Sequence, residues 1–91
     1  MEFLVEIAMS ADVPEERRED LVARERERGR ELVAAGTIVR IWRVPGRWAN
    51  VGIWRADDAT ELHDAISSLP LWPWMTVDVA PLATHYLEQR P

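Results

Sequence analysis

The sequence predicts an α+β domain in which two helices pack on one antiparallel sheet. Three observations favour this fold class. Apolar residues alternate near the N-terminus as in a strand, two longer segments have helix start and stop signals, and a Pro-Gly pair separates two strand-like runs. We expect a single domain that spans residues 1–91.

The first strand and the first helix form the N-terminal part of this domain. Residues Phe3 to Met9 alternate between two faces, and both faces are largely apolar. A helix is expected from about Pro14 to Ala35, because proline suits a first helical turn and acidic residues follow it. Gly36 is the expected end of this helix.

A hairpin is expected in the middle of the chain. Thr37 to Val44 and Arg47 to Arg55 are both strand-like, and Pro45-Gly46 lies between them. A Pro-Gly pair is typical of a tight turn, so the two runs should pair as antiparallel strands.

The second helix begins with a recognisable cap. Asp58, followed three residues later by Glu61, resembles a capping box. The apolar stripe that follows is typical of a helix packed on a sheet, and Pro70 should stop it.

The C-terminal part of the chain contains the last strand. Trp72-Pro73-Trp74 has no regular period, and a short strand is expected from Thr76 to Ala80. Pro81 and Pro91 suggest little regular structure in the tail. The order βαββαβ predicts a ferredoxin-like fold, an antiparallel sheet with both helices on one face.

The composition excludes several classes of function. The chain has no cysteine and only two histidines, and no spacing typical of metal ligands, so we expect no metal site. All eleven basic residues are arginines, which excludes a Schiff-base lysine. A net charge of −5 with scattered arginines argues against nucleic-acid binding. Without a signal-like or membrane-spanning stretch, a cytoplasmic location is expected.

Glu25 is the first candidate for a catalytic residue. The apolar stripe of the first helix, formed by Leu21, Val22, Leu32 and Val33, is centred on Glu25 and Gly29. A carboxylate on that face has two possible roles. It can be a structural group paired with an arginine, or it can line an apolar pocket, where a raised pKa suits proton transfer to and from carbon.

Other side chains could complete a site. Arg43 can bind a carboxylate through two parallel hydrogen bonds, or extend to solvent. Asn50 can donate to a developing oxyanion, or be an ordinary polar strand residue, and His63 can transfer protons or lie at the surface. Four tryptophans are candidates for pocket walls or subunit contacts: Trp42, Trp48, Trp72 and Trp74.

Several segments resemble the muconolactone isomerase family in their order and spacing. They are Ala35-Gly36-Thr37, Ile41-Trp42-Arg43-Val44-Pro45-Gly46, Trp48-Ala49-Asn50, Glu61-Leu62-His63-Asp64 and Leu69-Pro70-Leu71-Trp72-Pro73-Trp74-Met75. The resemblance implies a ferredoxin-like fold, ring-like homo-oligomers that are commonly decamers, sites at subunit interfaces and no cofactor. It also implies a small lactone substrate, with muconolactone converted to the 3-oxoadipate enol-lactone in aromatic catabolism.

The resemblance assigns roles to three of the candidate residues. Glu25 corresponds to the family's helix glutamate and would move the proton, and Arg43 would hold the carboxymethyl group. A donor such as Asn50 or a tryptophan indole N–H would stabilise the dienolate. Two alternatives remain open at this point. They are an isomerase or cyclase of a polyketide-type natural-product pathway, and a non-catalytic oligomeric protein that binds a ligand.

The strand pattern also predicts self-association. If both helices cover one face of the sheet, the apolar residues of the other face, Leu4 and Ala8 among them, lie uncovered. In so small a domain, a second copy of the chain is the simplest cover, so an obligate homo-oligomer is expected.

Overall fold

The secondary-structure elements follow the predicted order βαββαβ. The computed structural model describes residues 1–88. Its elements are β1 (Glu2–Met9), α1 (Arg18–Ala34), β2 (Ile38–Arg43), β3 (Ala49–Arg55), α2 (Ala59–Ser67) and β4 (Met75–Leu82), with 3₁₀ turns at Glu15–Arg17 and Trp72–Trp74.

The four strands form one antiparallel sheet in the order β2-β3-β1-β4. Phe3 in β1 lies opposite Trp54 in β3, and both side chains are fully buried. They belong to a core that includes Leu32 of α1 and Leu62 and Ile66 of α2. Both helices therefore cover the same face of the sheet, and the predicted ferredoxin-like fold is confirmed.

The start of α1 differs from the prediction. Pro14 has extended backbone angles, and the next three residues form a 3₁₀ turn before the α-helix begins at Arg18. The end of the helix is as predicted, because Gly36 has φ of +79°. This left-handed conformation lets Thr37 N donate to Leu32 O at 3.0 Å, which satisfies a carbonyl of the last turn.

The cap predicted for α2 is present. Asp58 has an extended backbone, and its Oδ1 accepts a hydrogen bond of 2.8 Å from the backbone N–H of Glu61. The helix ends at Ser67, before Pro70, while Leu69 beyond it remains buried in the core.

The C-terminal part of the chain is more regular than the sequence indicates. The strand β4 extends to Leu82 and includes Pro81, so the prediction that the chain loses regular structure there was wrong. Proline is tolerated because β4 is an edge strand, where a missing N–H costs no ladder hydrogen bond. The segment Trp72–Trp74, expected to be irregular, forms a 3₁₀ turn. Pro91 lies outside the described residues.

The second face of the sheet is not covered by any element within residues 1–88. Leu4, Trp42 and Leu82 are between 39% and 46% exposed, and the strand alternation places all three on this face. Glu2–Arg55 and Glu6–Arg47 ion pairs, at 3.1 and 3.3 Å, lie among them. The face is therefore an apolar surface with charged pairs between its apolar side chains.

Neither of the two described α-helices has the length and apolar character that crossing a bilayer would require.

Candidate active site

A cavity of about 500 Å³ lies between α1 and the sheet, where β2 and β3 meet at their hairpin. Its apolar wall includes Ile7, Met9, Val22, Leu71 and Met75, and its polar side chains are Glu25, Arg26, Arg43 and Asn50. A largely apolar pocket of this size with a few converging polar groups is the usual form of a site for a small molecule.

Glu25 enters this cavity from α1. Its side chain is half-buried, and Oε1 accepts a hydrogen bond of 3.0 Å from the backbone N–H of Leu71, in the turn that follows α2. Burial raises the pKa of Glu25 above 4.5, and the Leu71 hydrogen bond opposes that rise by stabilising the ionised form. The cavity thus holds a carboxyl group that protonates more readily than an exposed glutamate.

The stripe on α1 that pointed to Glu25 is narrower than the sequence predicts. Leu21 and Leu32 are buried, but Val33 is 53% exposed. Val33 instead lines a separate apolar groove of about 420 Å³ between α1 and the edge strand β2, beside Gly29. The helix therefore packs closely on the sheet on one side of Glu25 and leaves a gap on the other.

The burial of Glu25 gives a testable pH dependence of stability. Because the folded state raises the pKa of Glu25, ionised Glu25 costs stability at pH values above that pKa. As the pH falls through the raised pKa towards 4.5, the cost disappears. We expect Glu25→Gln to unfold at higher urea concentration than the wild type at neutral pH, with the difference vanishing only at pH values below 4.5. A difference that is constant with pH would contradict this.

Asn50 and Arg43 face each other across the hairpin. They are paired residues of β3 and β2, and Asn50 is also paired with Ile7 of β1, which is on the helix-covered face. Both side chains therefore point to the same side of the sheet as Glu25. Asn50 Oδ1 is buried and has no hydrogen-bond partner among the described residues, so the cavity wall contains unused hydrogen-bonding capacity.

Trp48 closes the hairpin end of the cavity. The backbone N–H of Met9 donates to its carbonyl oxygen at 2.9 Å, and the guanidinium of Arg18 lies 4.6 Å from the centre of its ring. The start of α1 and the end of β1 thus fix this wall. Trp42 borders the cavity too, but its side chain points to the uncovered face of the sheet, because it alternates with Arg43 along β2. Its ring centre lies 4.9 Å from the Arg40 guanidinium.

His63 and Trp72 lie elsewhere in the chain. Their rings meet edge to face with centres 5.6 Å apart, and both line a groove of about 370 Å³ between α2 and β4. Trp74 packs with the small cluster of Val13, Leu21 and Leu71. Within the chain the structure brings Glu25, Arg43, Asn50, Trp42 and Trp48 to one cavity, and it does not bring His63, Trp72 or Trp74 to it.

Two features of the cavity were not predicted from the sequence. Arg26 lines it beside Glu25, and the Leu71 backbone N–H binds the carboxylate. Arg26 could have been found from its position next to Glu25, whereas a backbone donor 46 residues away leaves no signal in a sequence pattern. Among the described residues no group of three histidine or acidic side chains could hold a metal ion.

Comparison with known proteins decides the family. A family model described as muconolactone delta-isomerase matches residues 1–88. The chain belongs to the muconolactone delta-isomerase family. The resemblance seen in the sequence is thereby confirmed, and as a member of this family the chain is an isomerase.

Individual members of the muconolactone delta-isomerase family are similar over nearly their whole length. A muconolactone delta-isomerase of Rhodococcus opacus is 32% identical over 81 residues, which are 89% of this chain and 87% of that protein. Muconolactone delta-isomerase 2 of Acinetobacter lwoffii is 34% identical over 87 residues, 93% and 91% of the two chains. A crystal structure of muconolactone isomerase matches with a TM-score of 0.88 at 29% identity, covering 100% of this chain and 97% of that one.

Proposed function

We propose that this chain converts muconolactone to the 3-oxoadipate enol-lactone, with Glu25 carrying the proton. The observation that best supports this is the Glu25 carboxylate in a cavity with a mostly apolar wall, bound to the Leu71 N–H and accompanied by Arg43 and Asn50. The names of the similar proteins point to the same substrate. We place the reaction in the cytoplasm, where a lactone intermediate of aromatic catabolism would be formed.

The proposed reaction moves one proton and one double bond. Glu25 removes the proton from the ring carbon that bears the carboxymethyl group, next to the ring oxygen, and the C–H electrons form a new double bond in the ring. The electrons of the original double bond shift towards the carbonyl carbon, and the carbonyl π electrons move onto its oxygen. Negative charge gathers on the lactone carbonyl oxygen. Protonated Glu25 then returns the proton to the carbon next to the carbonyl. Atoms and electrons balance without an oxidant or a second substrate.

The raised pKa of Glu25 suits both halves of this reaction. A carboxylate with an ordinary pKa is a weak base towards a carbon acid, and desolvation makes it a stronger one. The same carboxyl group must then release the proton to carbon. The hydrogen bond from Leu71 fixes one carboxylate oxygen, which leaves the other oxygen for the substrate.

Asn50 is proposed to stabilise the charged intermediate. Its Oδ1 lacks a partner at the cavity wall, and half a turn of the amide exchanges the positions of oxygen and NH₂. In that orientation the NH₂ group donates to the lactone oxygen as charge develops there. A donor already in place is worth more in a partly dry cavity than in water.

The proposed function is tested by incubating the purified protein with muconolactone and following the ring protons by NMR. Muconolactone has two vinylic ring protons and the enol-lactone has one, so conversion is read directly from the spectrum. We expect conversion far above the uncatalysed rate. Absence of conversion by folded protein would overturn the proposal.

Arg43 is proposed to bind the carboxymethyl group of the substrate. Arg43→Lys should raise the KM for muconolactone about 5- to 10-fold with a smaller change in kcat, because an ammonium cannot form the two parallel hydrogen bonds of a guanidinium. The control is Arg24→Lys, since Arg24 is exposed on α1, pairs with Asp20 and does not line the cavity. Equal KM values for the two variants would show that Arg43 does not bind the substrate.

We also propose that the chain works as a homo-oligomer, because the sheet face with Leu4, Trp42 and Leu82 has no cover in a single copy. Light scattering at micromolar protein should give a mass several times 10.5 kDa. Dilution should cause dissociation together with unfolding, because burying the apolar face is part of the stability of the fold. A folded monomer at low concentration would contradict this.

A further inference from the structure

Arg26 is the one arginine of α1's middle turns that has no acidic partner within the described chain. Its neighbours Arg24, Arg28 and Arg30 each pair with a carboxylate one turn away, at 3.4, 2.9 and 3.5 Å. The sequence explains the difference. The positions three and four residues from Arg26 are Val22, Ala23, Gly29 and Arg30, and none of them is acidic.

Arg26 and Arg43 approach the same cavity from opposite walls. Arg26 is on the helix and Arg43 on the edge strand β2, and Arg43 faces the neutral amide of Asn50 across the hairpin. No ion pair or aromatic contact is found for either guanidinium within residues 1–88. The chain has a net charge of −5, yet two arginines without an acidic partner lie at one cavity, where they are available to bind an anionic ligand.

We propose that Arg26 is a second substrate-binding residue, which closes on the substrate carboxylate opposite Arg43 and selects carboxylate-bearing lactones over neutral ones. The proposal rests on the proposed function, since it concerns the same cavity. Arg26 is exposed, so its long side chain can move onto a bound carboxylate without disturbing the core. Arg43 fixes the carboxylate from the sheet, and Arg26 binds it from the mouth of the cavity.

The test uses an inert pair of ligands, the saturated γ-lactone with a carboxymethyl group and its methyl ester. Neither has a ring double bond to move, and they differ in charge. Equilibrium binding is measured by calorimetry for wild type, Arg26→Gln, Arg26→Lys and Arg17→Gln. Arg17 is an exposed arginine of the 3₁₀ turn before α1 and does not line the cavity. Arg17→Gln therefore serves as the control, because it changes the net charge by the same amount as Arg26→Gln.

We expect Arg26→Gln to raise the Kd of the acid about 5- to 10-fold and to leave the Kd of the ester unchanged. Arg26→Lys should recover part of the affinity, and Arg17→Gln should change it less than about twofold, because an exposed charge that does not line the cavity is screened by water and salt. The proposal is wrong if Arg26→Gln binds the acid as the wild type does, if it weakens acid and ester equally, or if the wild type does not prefer the acid.

This binding test separates the proposal from the proposed function. If the protein binds the saturated acid through Arg26 but does not isomerise muconolactone, the role of Arg26 stands and the proposed function is overturned. If it isomerises muconolactone and binds the acid without Arg26, the proposed function stands and the role of Arg26 is overturned.

Discussion

Glu25→Gln is expected to lower kcat for muconolactone isomerisation about 10²- to 10⁴-fold while leaving the fold intact. The amide has the shape of the carboxylate, and its oxygen can still accept the hydrogen bond from Leu71 N–H. It cannot accept a proton from carbon at neutral pH, so the step that the base performs is lost. The KM should change little, because the substrate carboxylate is proposed to bind at Arg43 and not at Glu25.

Stopped-flow or NMR kinetics of the purified variant measure this loss, and circular dichroism checks the fold. The matched control is Glu27→Gln on the same helix, which removes an exposed partner of Arg30 and should retain nearly full activity. Turnover by folded Glu25→Gln within about tenfold of the wild type would exclude Glu25 as the proton carrier.

Gly52→Ala is expected to destabilise the protein by about 3 kcal/mol, a large part of the stability of so small a domain. Gly52 lies in β3 opposite Ile41 of β2, beside an irregularity in the register between Ile38 and Arg40. A Cβ at Gly52 would collide with the Arg40 carbonyl oxygen and lie 3.2 Å from Ile41 Cα. Both obstacles are backbone atoms, so the strands themselves would have to separate.

Urea unfolding at a fixed protein concentration measures the effect as a lower midpoint with an unchanged slope. The control is Gly29→Ala in α1, where an added Cβ meets nothing within 4 Å. That variant should be more stable than the wild type by about 0.5–1 kcal/mol, because alanine favours a helix interior. If Gly52→Ala proves as stable as the wild type, the close approach of β2 to β3 is not a constraint.

The order of elements and the position of Glu25 could be predicted because each depends on local signals. Gly36 and the Asp58 cap mark helix ends through backbone chemistry within a few residues. Glu25 was found because a charge at the centre of an apolar stripe is costly unless something compensates it. Here the compensation is the Leu71 N–H and the cavity.

The arrangement of the cavity depends on contacts between distant segments, which a single sequence does not encode in its periodicity. His63 and Trp72 pack against each other in the α2–β4 groove, although each was a reasonable site candidate on chemical grounds. The exposure of Val33 follows from the gap between α1 and β2, which is a matter of helix orientation. Pro81 is acceptable in a strand only because topology makes β4 an edge.

The strand order has a consequence for the synthesis of this protein. The strand β1 lies between β3 and β4, so it gains its second neighbour only when β4, residues Met75–Leu82, has been made. Contacts between segments that are far apart in the sequence form slowly, because a long loop must close first. Until β4 arrives, β1 has an open edge that other nascent chains can pair with. Aggregation during expression should therefore be most severe for chains that stop before Met75.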